Sequence, residues 1–146
     1  MQEQTYDALK LKNQLCFPLY ACARETIKLY KPYLDAVGLT YTQYITMLVL
    51  FEHGQMTLKE LGSRLYLDSG TLTPLLKKLE EKGLVSRRRS PTDERNLIVG
   101  ITPAGEALKD QALHIPGEMK KCVNLEPEEI RLLYKLLYKL LLYVSP

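Results

Sequence analysis

No stretch of this chain approaches the roughly 18 consecutive apolar residues of a membrane-spanning helix. Residues 1–12 are polar and helix-like, unlike a secretory signal. A cytoplasmic protein with no membrane partner is the expectation. Cysteine is scarce, with Cys16, Cys22 and Cys122 the only three in 146 residues. A chain of this length buries a real core without disulfides, so these are expected to be free thiols, and any disulfide between them transient and regulatory. Histidine is scarcer still. His53 and His114, scattered among three cysteines, do not give metal-ligand spacing. The sequence also lacks a glycine-rich phosphate loop and clustered carboxylates. It has no strand–helix alternation of the kind a thioredoxin-like thiol peroxidase needs, and neither histidine has an evident partner as a base. No enzymatic activity, metal or cofactor is expected.

Charge is mild overall, at +3, but unevenly placed. Residues 57–101 hold nine basic and six acidic residues, so the whole excess lies in one third of the chain. Such a segment suits a polyanionic partner, although a solvated charged face has the same composition.

Apolar spacing predicts a long helix over 7–35, with Leu9, Leu15, Leu19 and Ile27 on one side. Pro18 inside it should remove one hydrogen bond and bend it, and Gly38 marks its end. Thr40 and Gln43 have capping-box spacing, which predicts a second helix over 41–53 closed by Gly54. Thr57 and Glu60 repeat the box before a short helix ending near Leu65. Asp68 is the predicted N-cap of a fourth helix reaching Lys82 and closed by Gly83, with Pro74 inside it. Strand-like pieces follow at 84–88 and 96–101, joined by a polar hairpin tip at 89–95. Thr102 and Pro103 open another helix, which Pro116 and Gly117 should interrupt. A last helix from Pro127 carries Ile130, Leu133, Leu137, Leu140, Leu141 and Val144, flanked by Leu132, Leu136 and Leu142. It is apolar nearly all round and should be covered on several sides. A second copy of the chain would cover it in a symmetric dimer; burial inside one chain is the other reading.

Short helices followed by a two-stranded hairpin give a mainly α fold with a small β-hairpin wing, a winged helix-turn-helix. In the fourth helix Leu72, Leu75, Leu76 and Leu79 form one apolar face. The opposite face carries Gly70, Thr71, Pro74, Lys77, Lys78 and Glu81. Small side chains near a helix N-terminus permit close approach to base edges in a major groove, and lysines a turn later reach phosphates. Arg87, Arg88, Arg89 and Arg95 on the hairpin suit phosphate or minor-groove contact.

The run from Leu65 through Asp68-Ser69-Gly70-Thr71-Leu72-Thr73-Pro74 to Glu80, then Gly83-Leu84-Val85 and Asp93-Glu94-Arg95, closely resembles the MarR family of transcriptional regulators. The likeness extends over about 11–105 and more loosely to the last helix. It implies one domain over 1–146, with the winged helix-turn-helix at about 40–101 and helical dimerisation regions at 7–38 and 102–146. It also implies a homodimeric repressor on a pseudo-palindromic double-stranded operator. The DNA-binding set would be Ser69, Thr71, Thr73, Pro74, Lys77, Arg88, Asp93 and Arg95. In that family the wing arginine enters the minor groove, and the aspartate helps hold it.

Asn13-Gln14-Leu15-Cys16-Phe17 followed by Leu19-Tyr20 resembles a branch of the family, the organic hydroperoxide resistance regulators (OhrR). The resemblance implies that Cys16 is oxidised by organic hydroperoxide, the effector, and that Tyr30 and Tyr41 of the other subunit hydrogen-bond its sulfur. Spacing agrees: fourteen helical residues separate Cys16 from Tyr30, about 21 Å at 1.5 Å per residue, so no contact forms within one helix. Cys122 matches the resolving cysteine of a two-cysteine subgroup. Cys22 lies six residues from Cys16 on nearly the opposite face, about 9 Å along the axis, and is read as a small buried hydrophobe. For Cys16 and Cys122 that bland reading is the alternative to the sensing one. Ten tyrosines leave room for a different MarR-type mechanism, release by a small aromatic ligand with Cys16 incidental.

Overall fold

The computed structural model describes residues 6–145. In chain order its elements are α1 (Cys16–Val37), α2 (Tyr41–His53), β1 (Gln55–Thr57), α3 (Leu58–Leu65), α4 (Ser69–Glu81), β2 (Val85–Arg89), β3 (Leu97–Ile101), α5 (Pro103–Ala112), α6 (Ile115–Lys121) and α7 (Pro127–Val144). It is a mainly helical winged helix-turn-helix.

Both predicted capping boxes close. Thr40 Oγ1 accepts the Gln43 N–H at 3.3 Å while Gln43 Oε1 accepts the Thr40 N–H at 3.0 Å. Thr57 and Glu60 do the same at 3.2 and 2.9 Å. These reciprocal bonds satisfy N–H groups that helix starts leave orphaned. Asp68 caps α4 by accepting the Thr71 N–H at 2.6 Å. That bond holds the Asp68 carboxyl below its ordinary pKa.

The first helix is shorter than its apolar spacing suggests. It begins at Cys16, preceded by a 3-10 turn at Leu11–Asn13. Had it begun at Asp7, the Pro18 ring would have met the carbonyl of Gln14, four residues earlier. Asn13 and Gln14 instead turn their side-chain amides onto the carbonyls of Asp7, at 2.8 Å, and Ala8, at 2.6 Å, competing with helix formation. Pro18 therefore occupies the third position of α1, where a missing N–H costs nothing, and not the interior where a bend was expected. Residues 1–5 of the expected polar N-terminus lie outside the described residues. A second correction concerns Pro116 and Gly117. They sit in the first turn of α6, and the break falls before them, at Leu113 and His114. Proline starts that helix more readily than it interrupts one.

β3 is the central strand, antiparallel to β2 and to β1. Val99 faces Met56 on one side and Arg87 on the other, and its side chain is fully buried. β1 has no counterpart in the sequence reading, because Gln55-Met56-Thr57 is too short to display a period. The core runs from Met47 and Leu50 of α2 through Leu61 to Leu72, Leu76 and Leu79 of α4. It continues under the sheet to Leu108, Ile115 and Met119.

Two glycines permit close approaches. A Cβ at Gly62 would lie 2.7 Å from the Leu67 carbonyl oxygen, so only glycine lets α3 sit this tightly on the turn before α4. At Gly105 a Cβ would collide with the Leu84 carbonyl oxygen and meet Ile101 Cγ1 at 2.7 Å. Gly105→Ala is expected to lower stability by about 1–3 kcal/mol or more, because the obstructing oxygen is backbone. A urea titration reads this as a lower midpoint at unchanged slope.

The last helix is where the single chain is least complete. None of the residues of α7 is buried, and Leu132, Leu136 and Tyr138 are each half exposed or more. Burial within one chain is therefore excluded as its role. Leu15, Phe17, Leu19 and Tyr20 of the N-terminal part are exposed as well.

Candidate nucleic-acid interface and thiol site

α4 separates its faces as the leucine spacing requires. Leu72, Leu75, Leu76 and Leu79 are buried, whereas Ser69, Thr71, Thr73, Pro74 and Lys77 are exposed. Pro74 in the helix interior has no N–H for the carbonyl of Gly70. One turn back, the Thr73 hydroxyl donates to the Ser69 carbonyl at 2.7 Å.

A cleft of about 730 Å³ lies between α3, the start of α4 and the wing. Ser69, Thr73 and Arg95 of the expected set line it, joined by Lys59, Arg89 and Asn96. The last three were not singled out in the expected set. Lys59 and Arg89 make its wall cationic, a surface suited to a polyanion. Arg88 stands elsewhere. Side chains alternate across a strand, so Arg87 and Arg89 face the cleft while Arg88 turns toward Gln55, with Nη2 3.4 Å from its Oε1.

Arg87 is not a free cation either. Its guanidinium donates to both oxygens of Glu80, Nη2 to Oε1 at 3.1 Å and Nε to Oε2 at 3.3 Å. This two-point pair fixes the wing against α4 and holds the Glu80 carboxyl below its ordinary pKa. At the wing tip the Arg95 side chain is 93% exposed. Asp93 Oδ1 accepts the Arg95 N–H at 3.0 Å and lies 3.5 Å from its Nε. The aspartate thus shapes the turn and steadies the arginine beside it.

Cys16 is the first residue of α1, exposed and free, at the helix end whose unpaired N–H groups favour negative charge. Cys122 caps α6, also exposed and free, with Sγ 3.6 Å from the Glu118 carbonyl oxygen. Cys22, expected to be buried, is exposed on this chain. The reading of all three as small buried hydrophobes therefore does not hold for the single chain. Tyr30 lies on α1 fourteen residues beyond Cys16, about 21 Å along a continuous helix. Its ring packs against Tyr41 at 5.0 Å and against Tyr44 at 5.7 Å between centroids. Burial raises the pKa of all three phenols, helped for Tyr30 by Tyr41 and for Tyr44 by both neighbours. Each stays protonated near neutrality and able to donate a hydrogen bond. Tyr44, one turn after Tyr41, is the member of this cluster that the sequence reading missed.

A family model described as transcriptional regulator SarA/Rot matches residues 28–112. The chain is 48% identical over 139 residues to the organic hydroperoxide resistance transcriptional regulator of Bacillus subtilis (strain 168), covering 95% of each chain. Among solved structures, reduced AbfR bound to DNA aligns with a TM-score of 0.79 at 32% identity, over 97% of this chain and 99% of that one. Disulfide-formed AbfR aligns with a TM-score of 0.65 at 33% identity, over 97% and 99%.

Proposed function

Because the chain belongs to the SarA/Rot-type, MarR-like family of transcriptional regulators, we propose that it is a homodimeric repressor released from its operator when an organic hydroperoxide oxidises Cys16. The observation that carries this reading is Cys16 itself, an exposed thiol at the start of the helix that also bears Tyr30. Its relatives include a regulator named for organic hydroperoxide resistance. Another relative, AbfR, is known in a reduced DNA-bound form and a disulfide form. An operator-binding protein works where the DNA is, in the cytoplasm.

The surfaces left open support the dimer. α7 and the exposed apolar residues before and within α1 need cover, and a second copy supplies it through helical regions at 7–38 and 102–146. A dimer also removes the distance problem at the thiol. With α1 of one protomer running against its partner, the partner's Tyr30 and Tyr41 phenols can donate to the Cys16 sulfur and favour the thiolate. The thiolate attacks the terminal oxygen of ROOH; the O–O bond breaks, and the alkoxide takes up a proton and leaves as ROH. The Cys16 sulfenic acid then meets the Cys122 thiolate of the opposite chain, forming a disulfide and expelling hydroxide, which takes up a proton to become water. Sulfur chemistry is thus stoichiometric, not enzymatic, and needs no cofactor.

DNA docks on the winged unit at about 40–101. Ser69, Thr71, Thr73 and Pro74 approach base edges, Lys77 takes phosphate, and Arg95, steadied by Asp93, enters the minor groove. Thr71→Ala and Lys77→Ala are expected to differ in kind. The first relaxes discrimination at particular base pairs by about 1–3 kcal/mol; the second weakens operator and scrambled DNA alike. Equal losses on both DNAs for both variants would mean that α4 docks otherwise.

Binding to the chain's own upstream DNA, with and without cumene hydroperoxide, tests the whole reading. Loss of binding with the hydroperoxide and none with benzoate-type acids supports it. Release by the aromatic acid alone would replace it with a ligand-gated mechanism.

A further inference from the structure

Lys82, the residue that caps the C-terminal end of α4, reaches across to a different part of the fold. Its ammonium donates to the carbonyl oxygen of Gly38 and, at 3.3 Å, to Oε1 of Gln43. Gly38 caps α1, so its carbonyl lies at the negative end of that helix's dipole. Gln43 Oε1 is the atom that closes the capping box of α2, and Gln43 is 4% exposed. One cation therefore binds the end of α1 and the start of α2 together. Its own backbone N–H meanwhile stays bonded to the Lys78 carbonyl at 3.1 Å.

Gly38, Gln43 and Lys82 line a groove of about 590 Å³ between this corner and the C-terminal half of α4. Among the described residues no other hydrogen bond or ion pair joins α1 or α2 to α4. Between α2 and α4 the core is apolar, with Met47 and Leu50 in one buried cluster with Leu72, Leu76 and Leu79. Such packing has no preferred direction and permits small slides, whereas charge-assisted hydrogen bonds fix a geometry. The corner also carries the tyrosine cluster. Tyr41 opens α2 two residues before Gln43, with the Tyr30 ring against it.

We propose that Lys82 is the positioning residue that ties α4, the helix read as the recognition helix, to the α1–α2 corner, and so carries a change at the Tyr30–Tyr41 pair to the DNA-binding face. Its trigger rests on the Cys16 reading given above; the joint itself does not.

The test uses the full-length dimer and its operator. Lys82→Met keeps the apolar stem and loses the ammonium, while Lys82→Arg keeps the cation. The reduced Lys82→Met protein is expected to bind operator about tenfold more weakly. It should also lose much of its discrimination against operators with half-site spacing changed by one base pair. Its non-specific affinity and its salt dependence stay as in the parent, because no phosphate contact is removed. Cumene hydroperoxide oxidises its Cys16 normally yet changes its affinity far less than it changes the parent's. Lys82→Arg restores each property, which separates a lost joint from a damaged fold. A salt slope lower by about one unit, with specific and non-specific DNA weakened alike, would make Lys82 a phosphate contact and overturn the proposal. Parental spacing discrimination and parental release in Lys82→Met would overturn it equally. If the parent itself ignores the hydroperoxide, the Cys16 reading fails, and the affinity, spacing and salt measurements alone decide for or against the joint.

Discussion

Arg95→Ala is expected to weaken operator binding by about 1–3 kcal/mol, roughly tenfold to a hundredfold, while leaving the thermal transition in place. Nothing packs on this side chain, which is 93% exposed, and its ion pair with Asp93 at 3.5 Å is an exposed contact of small energetic weight. What the arginine loses in isolation it gains against DNA. A narrow minor groove concentrates negative potential and desolvates a guanidinium that enters it. Removing one cation should also flatten the salt dependence by about one unit of slope. Arg95→Lys keeps the charge without the planar fork, so it should recover the slope and only part of the affinity. Unchanged affinity and slope in Arg95→Ala would remove the wing from the mechanism.

The other large effect lies at the thiol. Cys16→Ser is expected to bind operator as the parent does and to ignore organic hydroperoxide, because the hydroxyl keeps the size of the thiol without its nucleophilicity. The oxidised parent should run as a covalent dimer on a non-reducing gel and return to monomer with dithiothreitol. Cys122→Ser should still release DNA on first oxidation. Its sulfenic acid, lacking a resolving thiol, should pass to sulfinic and sulfonic acids that dithiothreitol does not reverse. Release that needs Cys16 but yields no interchain disulfide would remove only Cys122. The proposed mechanical link is spacing. Half-sites lie about one DNA turn apart, roughly 34 Å, so drawing Cys16 and Cys122 together need displace the recognition helices by only a few ångströms to prevent simultaneous docking.

Elements that announce themselves through local chemistry were legible in the sequence. The capping boxes at Thr40 and Thr57, the Asp68 cap, the Thr102–Pro103 start and the leucine face of α4 each depend on residues within a few positions of one another. What was not legible depends on partners distant in the chain. β1 exists because β3 offers it an edge, and three residues carry no period. The start of α1 is set by competition, in which Asn13 and Gln14 take backbone carbonyls that a longer helix would need. The same holds for the site. Wing arginines look equivalent in the string Arg87-Arg88-Arg89. The structure commits Arg87 to Glu80, turns Arg88 toward Gln55 and leaves Arg89 in the cleft. Lys82 looked like one more cation at a helix end until the fold brought Gly38 and Gln43 beneath it.

The most direct test follows DNA release and Cys16 chemistry in the same sample. Operator-bound dimer is titrated with cumene hydroperoxide while fluorescence anisotropy reports bound DNA and mass spectrometry reports the state of each cysteine. The account predicts that the bound fraction falls in step with loss of the Cys16 thiol, and that dithiothreitol restores both together. Full oxidation of Cys16 with DNA still bound, or release while Cys16 remains a thiol, would contradict it.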